Sequence, residues 1–237
     1  MIFAKLGRRW NELLILLLLI CVTTPVFWLS DLDQRVAELF YRPSNGANVW
    51  PLQHGWLWDN LFRYATVFTV TIAMGALLAA VSGYVFPKLM PLQRPSIYIV
   101  LVIALGPGLV INLVFKDHWA RPRPLHTSEF GGQYTYVPPL KIGNTPDKSF
   151  PCGHCSVGFM FFMLYFLSRK RKAFYFTLTI LFAMVMALTR MMAGGHFLSD
   201  ILWSGYLVFF VAWLVYYGWY EREDYRNREA RYNDNAR

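Results

Sequence analysis

His196 and Asp200 stand four residues apart in the run Thr189-Arg190-Met191-Met192-Ala193-Gly194-Gly195-His196-Phe197-Leu198-Ser199-Asp200. On a helix that spacing stacks the two side chains on one face. The carboxylate then holds one imidazole nitrogen and leaves the other directed outward as a base or nucleophile. Arg190 places a guanidinium nearby, suited to an anion. Two other stretches carry polar chemistry: Lys116-Asp117-His118-Trp119-Ala120-Arg121-Pro122-Arg123-Pro124, and Phe150-Pro151-Cys152-Gly153-His154-Cys155-Ser156. Lys116 supplies a point charge, and the Arg123 guanidinium a planar fork of donors that matches phosphate oxygens. His154 follows a Pro-x-Gly turn at a helix start, where backbone N–H groups and the positive end of the dipole favour an anion. Taken singly, a Lys or Arg beside an apolar span reads as an interfacial side chain, and a His at a helix start reads as a cap. Their weight comes from falling on one side of a membrane together.

Composition dictates that membrane. The 237 residues are 56% hydrophobic and 18% aromatic, with positive mean hydropathy, too apolar for an ordinary water-soluble domain. Bridging a hydrocarbon core of about 30 Å takes roughly 20 helical residues. Six stretches approach that length: 12 to 30, 63 to 86, 97 to 115, 154 to 168, 174 to 190 and 199 to 219. The expected fold is all-α, a polytopic bundle of six transmembrane helices. Gly106-Pro107-Gly108 interrupts the third stretch, and the fourth and fifth are short. Lys5, Arg8 and Arg9 precede the first run as a basic leader would. Leu13 to Leu29 is long for a signal core, however, and ends in Phe27-Trp28-Leu29 instead of small residues, so it is expected to stay as a span.

Charge then orients the bundle. Lys5, Arg8 and Arg9, Lys88 and Arg94, the cluster Arg169 to Lys172 and the Arg-rich tail all fall on one side if the spans alternate. By the positive-inside rule that side is the cytoplasm, with both termini in it. The net charge of +9 mostly records this topology. Basic loops meet lipid headgroups, and nothing resembles a nucleic-acid-binding module. Segments 31 to 62, 116 to 153 and 191 to 198 face the opposite side, which in a bacterial inner membrane is the periplasm. The expected organisation is one membrane domain, 1 to 220, and a polar cytoplasmic tail, 221 to 237, that reads as a solvated extension. Within the first outer segment, Asp31 to Phe40 predicts a short helix followed by a Pro/Asn/Gly-rich turn, and Trp50, Trp56 and Trp58 suit an interfacial belt.

These residues resemble the type 2 phosphatidic-acid phosphatase superfamily, whose three-part signature reads Lys-x6-Arg-Pro, then Pro-Ser-Gly-His, then Ser-Arg-x5-His-x3-Asp. Lys116 through Arg123-Pro124 matches the first part. Thr189, Arg190, His196 and Asp200 match the third, with Thr in place of the leading Ser. The second reads Pro151-Cys152-Gly153-His154, with Cys in place of Ser. A thiol donates hydrogen bonds weakly, so the phosphate contact expected from the family's Ser is weakened at Cys152, while backbone N–H groups there and at Gly153 can still serve. The resemblance implies hydrolysis of a membrane lipid phosphate or diphosphate. His196 would attack phosphorus to form a phosphohistidine, Asp200 would orient it, and Lys116, Arg123 and Arg190 would neutralise the phosphoryl oxygens. His154 would protonate the leaving group and then activate water. No metal or other cofactor is expected. Undecaprenyl diphosphate, phosphatidic acid or phosphatidylglycerol phosphate, and the phosphates of lipid A are candidate substrates, with the loop 125 to 150 and its Lys141 and Lys148 as discriminator.

Other readings exist. A lipid-diphosphate-dependent phosphotransferase would need the same phosphohistidine. Cys152-Gly153-His154-Cys155 has the Cys-x-x-Cys spacing of thiol–disulfide exchangers, yet lacks their soluble α/β setting and leaves the cations without a role. Zinc held by Cys152, His154, Cys155 and His196 sits awkwardly with Asp200, which more naturally orients an imidazole. A transporter would carry its charges at mid-depth, not at one interface.

Overall fold

The computed structural model of the chain describes residues 7–43, 50 and 56–222, and all its named elements are helical. Helix α1 spans Arg8–Leu29, α2 Leu32–Glu38 and α3 Trp56–Val85. Helix α4, Met90–Ile103, runs on through a wider π-helical stretch, Ala104–Lys116. After a long loop come α5 (Gly153–Phe159), α6 (Phe162–Leu167), α7 (Lys172–Met192) and α8 (Leu198–Val215), the last continued by a π-type turn at Tyr216–Tyr220. The widening of α4 contains Pro107, which lacks the N–H needed for a regular turn and crowds the carbonyl behind it. Asn112 Nδ2 donates to the Pro107 carbonyl at 2.6 Å.

Among the described residues, five helical stretches are long and apolar enough to cross a membrane: Arg8–Leu29, Asp59–Val85, Pro87–Lys116, Lys172–Met192 and Leu198–Tyr220. The fourth expected span, 154 to 168, departs from the prediction. Met160 and Phe161 break it into α5 and α6, and the shorter apolar segment Gly153–Leu167 would reach about 22 Å even as one continuous helix, less than a hydrocarbon core of about 30 Å.

Helix α8 is the axis of the bundle. Val208 and Ala212 on it are fully buried, as are Tyr98 and Val102 of α4 and Met160 and Phe166 of the short segment. The Tyr98 hydroxyl donates to the Ala212 carbonyl at 3.0 Å, satisfying a polar group inside an apolar core. Helix α5 meets α7 backbone to backbone: a Cβ on Gly158 would lie 2.5 Å from Ala183 Cα. Outward, Val22, Leu78 and Leu181 leave apolar surface exposed on α1, α3 and α7, as a lipid-facing surface does. Glu12 ties α1 into the bundle by accepting from Tyr165 Oη at 2.7 Å and Tyr217 Oη at 2.9 Å.

The predicted helix in the first outer segment is α2. It is two-faced: Asp31 and Arg35 pair on its exposed side at 3.0 Å, while Asp33 and Ala37 are buried. Trp50 corrects the interfacial-belt reading. It is 2% exposed and packs with Tyr41 and Phe130 at ring-centroid distances of 5.6 and 5.5 Å, in an outer cluster that includes Ala37 and Phe197. Trp56 is exposed, as the belt reading expects. The Trp58 side chain, the Pro/Asn/Gly-rich turn beyond Pro43 and the tail beyond Arg222 lie outside the described residues.

Candidate active site

Four helix ends gather the candidate residues. Lys116 closes the π-helical stretch, His154 lies in the first turn of α5, Arg190 in the last turn of α7 and Asp200 in the first turn of α8. His196 sits in the turn joining α7 to α8. That turn begins at Gly194, whose φ of +62° is the left-handed conformation that ends helices and suits glycine. The Gly194 and Gly195 N–H groups donate to the carbonyls of Met191 and Arg190, both at 2.9 Å, closing α7 as the chain reverses.

Two glycines let the cations approach. A Cβ on Gly153 would lie 3.0 Å from Lys116 Nζ and 2.9 Å from Asn112 Oδ1, so Lys116 reaches across to the start of α5. A Cβ on Gly195 would strike Arg190 Nη2 at 2.4 Å, so that guanidinium lies flat against the residue before His196. His154 is close enough to feel the charges of Arg190, His196, Lys116 and Arg123. Arg123 Nε is buried and makes no hydrogen bond among the described residues. Three stretches far apart in sequence thus converge at one end of the bundle.

Asp200 is fully buried and heavily bonded. Its Oδ2 accepts from Ser149 Oγ at 2.6 Å and from the Phe197 N–H at 2.9 Å, and its Oδ1 accepts from Arg121 Nη1. His196 Nδ1 stands 3.6 Å from Oδ2, beyond hydrogen-bond length. In free enzymes such contacts are often long and tighten only when substrate binds. His196 is 2% exposed. Burial pushes its pKa down to about 4, outweighing the Asp200 carboxylate that favours the charged form, and Arg190 and Lys116 push in the same direction as burial. The imidazole is therefore neutral at pH 7, as a nucleophile must be.

Arg121 was not singled out by the sequence, yet it ties Asp200 to Asp33 behind the site. It is fully buried, and Nη1 donates to Ser199 Oγ at 2.8 Å as well as to Asp200; Nη2 donates to Asp33 at 2.9 Å and Nε to the Val137 carbonyl at 2.7 Å. Asp33 also accepts from Tyr136 Oη and the Ser199 N–H, both at 2.9 Å, and from Ser199 Oγ. Burial alone would lower the Arg121 pKa, but Asp200 and Asp33 raise it, and the guanidinium stays charged. The one available signal was the Arg121-Pro122-Arg123-Pro124 repeat. A residue before proline is pushed toward extended or polyproline-II backbone, and with three residues per turn two side chains two apart point to different faces. Arg123, at φ −82° and ψ 153°, has that conformation.

Cys152 belongs to the frame of the site, which corrects its expected role against phosphate. Both Cys152 and Cys155 are fully buried and joined by a disulfide, so Cys152 has no S–H to donate. Its backbone N–H donates to the Asp200 carbonyl at 3.2 Å, and its carbonyl accepts from Ser204 Oγ at 2.9 Å. Sulfur in a disulfide also offers no thiolate to a zinc ion. Among the described residues no group of three or more His, Cys, Asp or Glu is placed to hold a metal. Lys148, expected to help discriminate substrates, is engaged with Asp117 at 2.6 Å on the surface.

A cavity of about 300 Å³ is lined by Lys116, Gly153 and His154 together with Thr69 and Ala73 of α3 and Ile103 of α4. Its polar end is the site and its other walls are mostly apolar.

Residues 95–224 match the family model of the PAP2 superfamily. A lipid A 4'-phosphatase of Francisella tularensis subsp. novicida (strain U112) is 33% identical over 219 residues, covering 90% of this chain and 98% of the relative. A lipid A 4'-phosphatase of Rhizobium leguminosarum is 33% identical over 124 residues, 48% of this chain and 51% of the relative. A lipid A 1-phosphatase of Rhizobium etli (strain ATCC 51251 / DSM 11541 / JCM 21823 / NBRC 15573 / CFN 42) is 32% identical over 115 residues, 48% of this chain and 42% of the relative. No solved structure gives a significant match.

Proposed function

The chain belongs to the PAP2 superfamily and is a multi-pass membrane lipid phosphatase; we propose that it removes a phosphate from the sugar headgroup of lipid A, through a phosphohistidine on His196. The observation that carries the mechanism is the convergence of Lys116, Arg123, His154, Arg190 and His196 at one end of the bundle, with Asp200 behind the nucleophile. Near-full-length similarity to a lipid A 4'-phosphatase favours the 4'-phosphate over the other candidates.

The neutral imidazole attacks phosphorus with Nε2, its Nδ1 toward Asp200, and the bond to the sugar oxygen breaks. Lys116, Arg123 and Arg190 offset the charge that spreads over the phosphoryl oxygens, in a site that excludes bulk water. His154, ringed by the charges of Arg190, Lys116 and Arg123, takes up a proton from the bound phosphate monoester and passes it to the departing oxygen. In the second step it takes a proton from water, which attacks the phosphohistidine and releases inorganic phosphate. The chemistry needs no metal, so turnover should persist in EDTA.

We also propose six crossings. His154 at the start of α5 and Arg190 at the end of α7 share the site, while α7 carries the chain about 30 Å from its start at Lys172. The segment 153–171 must therefore traverse the same depth in the opposite direction, and Lys172 Nζ lies 4.8 Å from the Tyr165 ring at its far end. Both termini then lie on the Arg169–Lys172 side, the cytoplasm, and the site faces the periplasm of a bacterial inner membrane.

Purified protein incubated with lipid A and EDTA tests this reading. Loss of one phosphate from the 4' position, absent in His196→Ala, supports it; release only from a glycerophospholipid or a prenyl diphosphate overturns the substrate.

A further inference from the structure

A second cavity, of about 480 Å³, lies in the long outer loop beside Arg123. That is within the size range of small-molecule sites, about 300–1,000 Å³. Its lining includes Leu125, His126, Gln133, Tyr134 and Asp147, with no Lys or Arg among the described lining residues. The single carboxylate, Asp147, is already engaged: His126 Nδ1 lies 2.7 and 2.9 Å from its two oxygens, and the Arg123 N–H donates to it at 2.9 Å. Such a lining does not suit a second phosphate. It suits a neutral, hydroxyl-rich group, with the Gln133 amide to exchange hydrogen bonds with hydroxyls and the Tyr134 ring for C–H faces.

The cavity is built, and it is fixed to the catalytic loop. The N–H groups of Gln133 and Tyr134 both donate to the His126 carbonyl at 3.0 Å, the Ser128 N–H donates to the Tyr134 carbonyl at 2.8 Å, and the Gly132 N–H to the Thr127 carbonyl at 2.8 Å. On one side Asp147 joins the wall to the backbone of Arg123. On another the Leu125 N–H donates to the Gly194 carbonyl at 3.0 Å, two residues before His196. The wall of the cavity is thus hydrogen-bonded to the backbone of Arg123 and to that of Gly194.

Building on the phosphatase reading above, we infer that this cavity is a saccharide subsite, which holds an uncharged sugar ring of the headgroup while its phosphate lies at His196. The subsite supplies selectivity for phosphorylated sugars over glycerol phosphates.

The test uses the whole protein in detergent and the variant Gln133→Ala/Tyr134→Ala, whose residues take no part in the chemistry. Two soluble inhibitors, a glucosamine phosphate and glycerol 3-phosphate, compete with whichever lipid phosphate the wild type turns over. The sugar phosphate is expected to inhibit at about tenfold lower concentration, the worth of one or two hydrogen bonds, and the variant to lose that preference while keeping its kcat. Equal inhibition by the two compounds in the wild type, or a preference that survives in the variant, overturns the subsite. Whether the wild type dephosphorylates lipid A is read separately and decides the parent reading alone.

Discussion

A neutral, buried imidazole and a network of buried charges account for most of what the site's residues do. The folded pKa of His196, about 4, lies below the ordinary 6.5, so the fold favours the neutral form. That contribution to stability is complete above about 6.5 and is lost as pH falls through about 4. The acid limb of kcat/KM is expected to follow the same group, with activity held down to about pH 4 and then lost; a limb near 6.5 would contradict the burial argument. Arg121 bridges two fully buried carboxylates. Removing one partner of a buried ion pair typically costs about 3–5 kcal/mol. Arg121→Met should therefore lower the Tm sharply and displace Asp200, abolishing phosphate release. Asp33→Asn leaves Asp200 its own partners and should cost less activity. Thermal unfolding beside a phosphate-release assay checks both, and a stable, active Arg121→Met would refute the network's role. The spacing of His196 and Asp200 was legible because it is local. The pairing of Asp33 with Arg121 was not, because it joins residues 88 positions apart and nothing in the sequence separates the buried Asp33 from the exposed Asp31.

Among the elements, long apolar runs announce themselves and short broken ones do not. Five spans stand close to where the hydropathic pattern puts them, because about 20 consecutive apolar residues leave a helix few other environments. The segment 153–167 misled in detail. Its apolar residues serve equally for one helix or for α5 and α6, and the break at Met160 and Phe161 is set by packing against α7 and α8. Trp50 shows a similar limit: an outer-loop aromatic suits a membrane interface, until Tyr41 and Phe130 fold over it. The start of α5 is held three ways besides its disulfide, by the Cys152 N–H, the Ser204 hydroxyl and the bond from Ser156 Oγ to the Gly153 carbonyl at 2.6 Å. Cys152→Ser/Cys155→Ser should keep phosphate release within a few-fold of wild type, since these hydrogen bonds remain and loss of a disulfide closing so short a loop costs stability, about 2 kcal/mol, and no group of the chemistry. Complete loss of activity with the fold intact would instead make the sulfur pair part of the chemistry.

At the scale of the whole molecule, topology gives the site its purpose. In the proposed six-crossing topology, charged helix ends collect on one side and basic loops on the other, so that a lipid substrate would keep its tails in the bilayer while its headgroup enters the site. Single cysteines introduced at Ser128 and Lys170 in a Cys-free background should react with a membrane-impermeant thiol reagent from opposite faces, the first from the periplasm. Labelling of both from one face would mean that 153–171 does not cross. The proposed nucleophile is the His196 imidazole. A lipid phosphate carrying radioactive phosphorus, given to His154→Ala protein and quenched in base, tests it most directly. The account predicts a base-stable, acid-labile phosphoryl adduct on His196 that is missing when His196→Ala is added; turnover retained in His196→Ala, or label on any other residue, would contradict it.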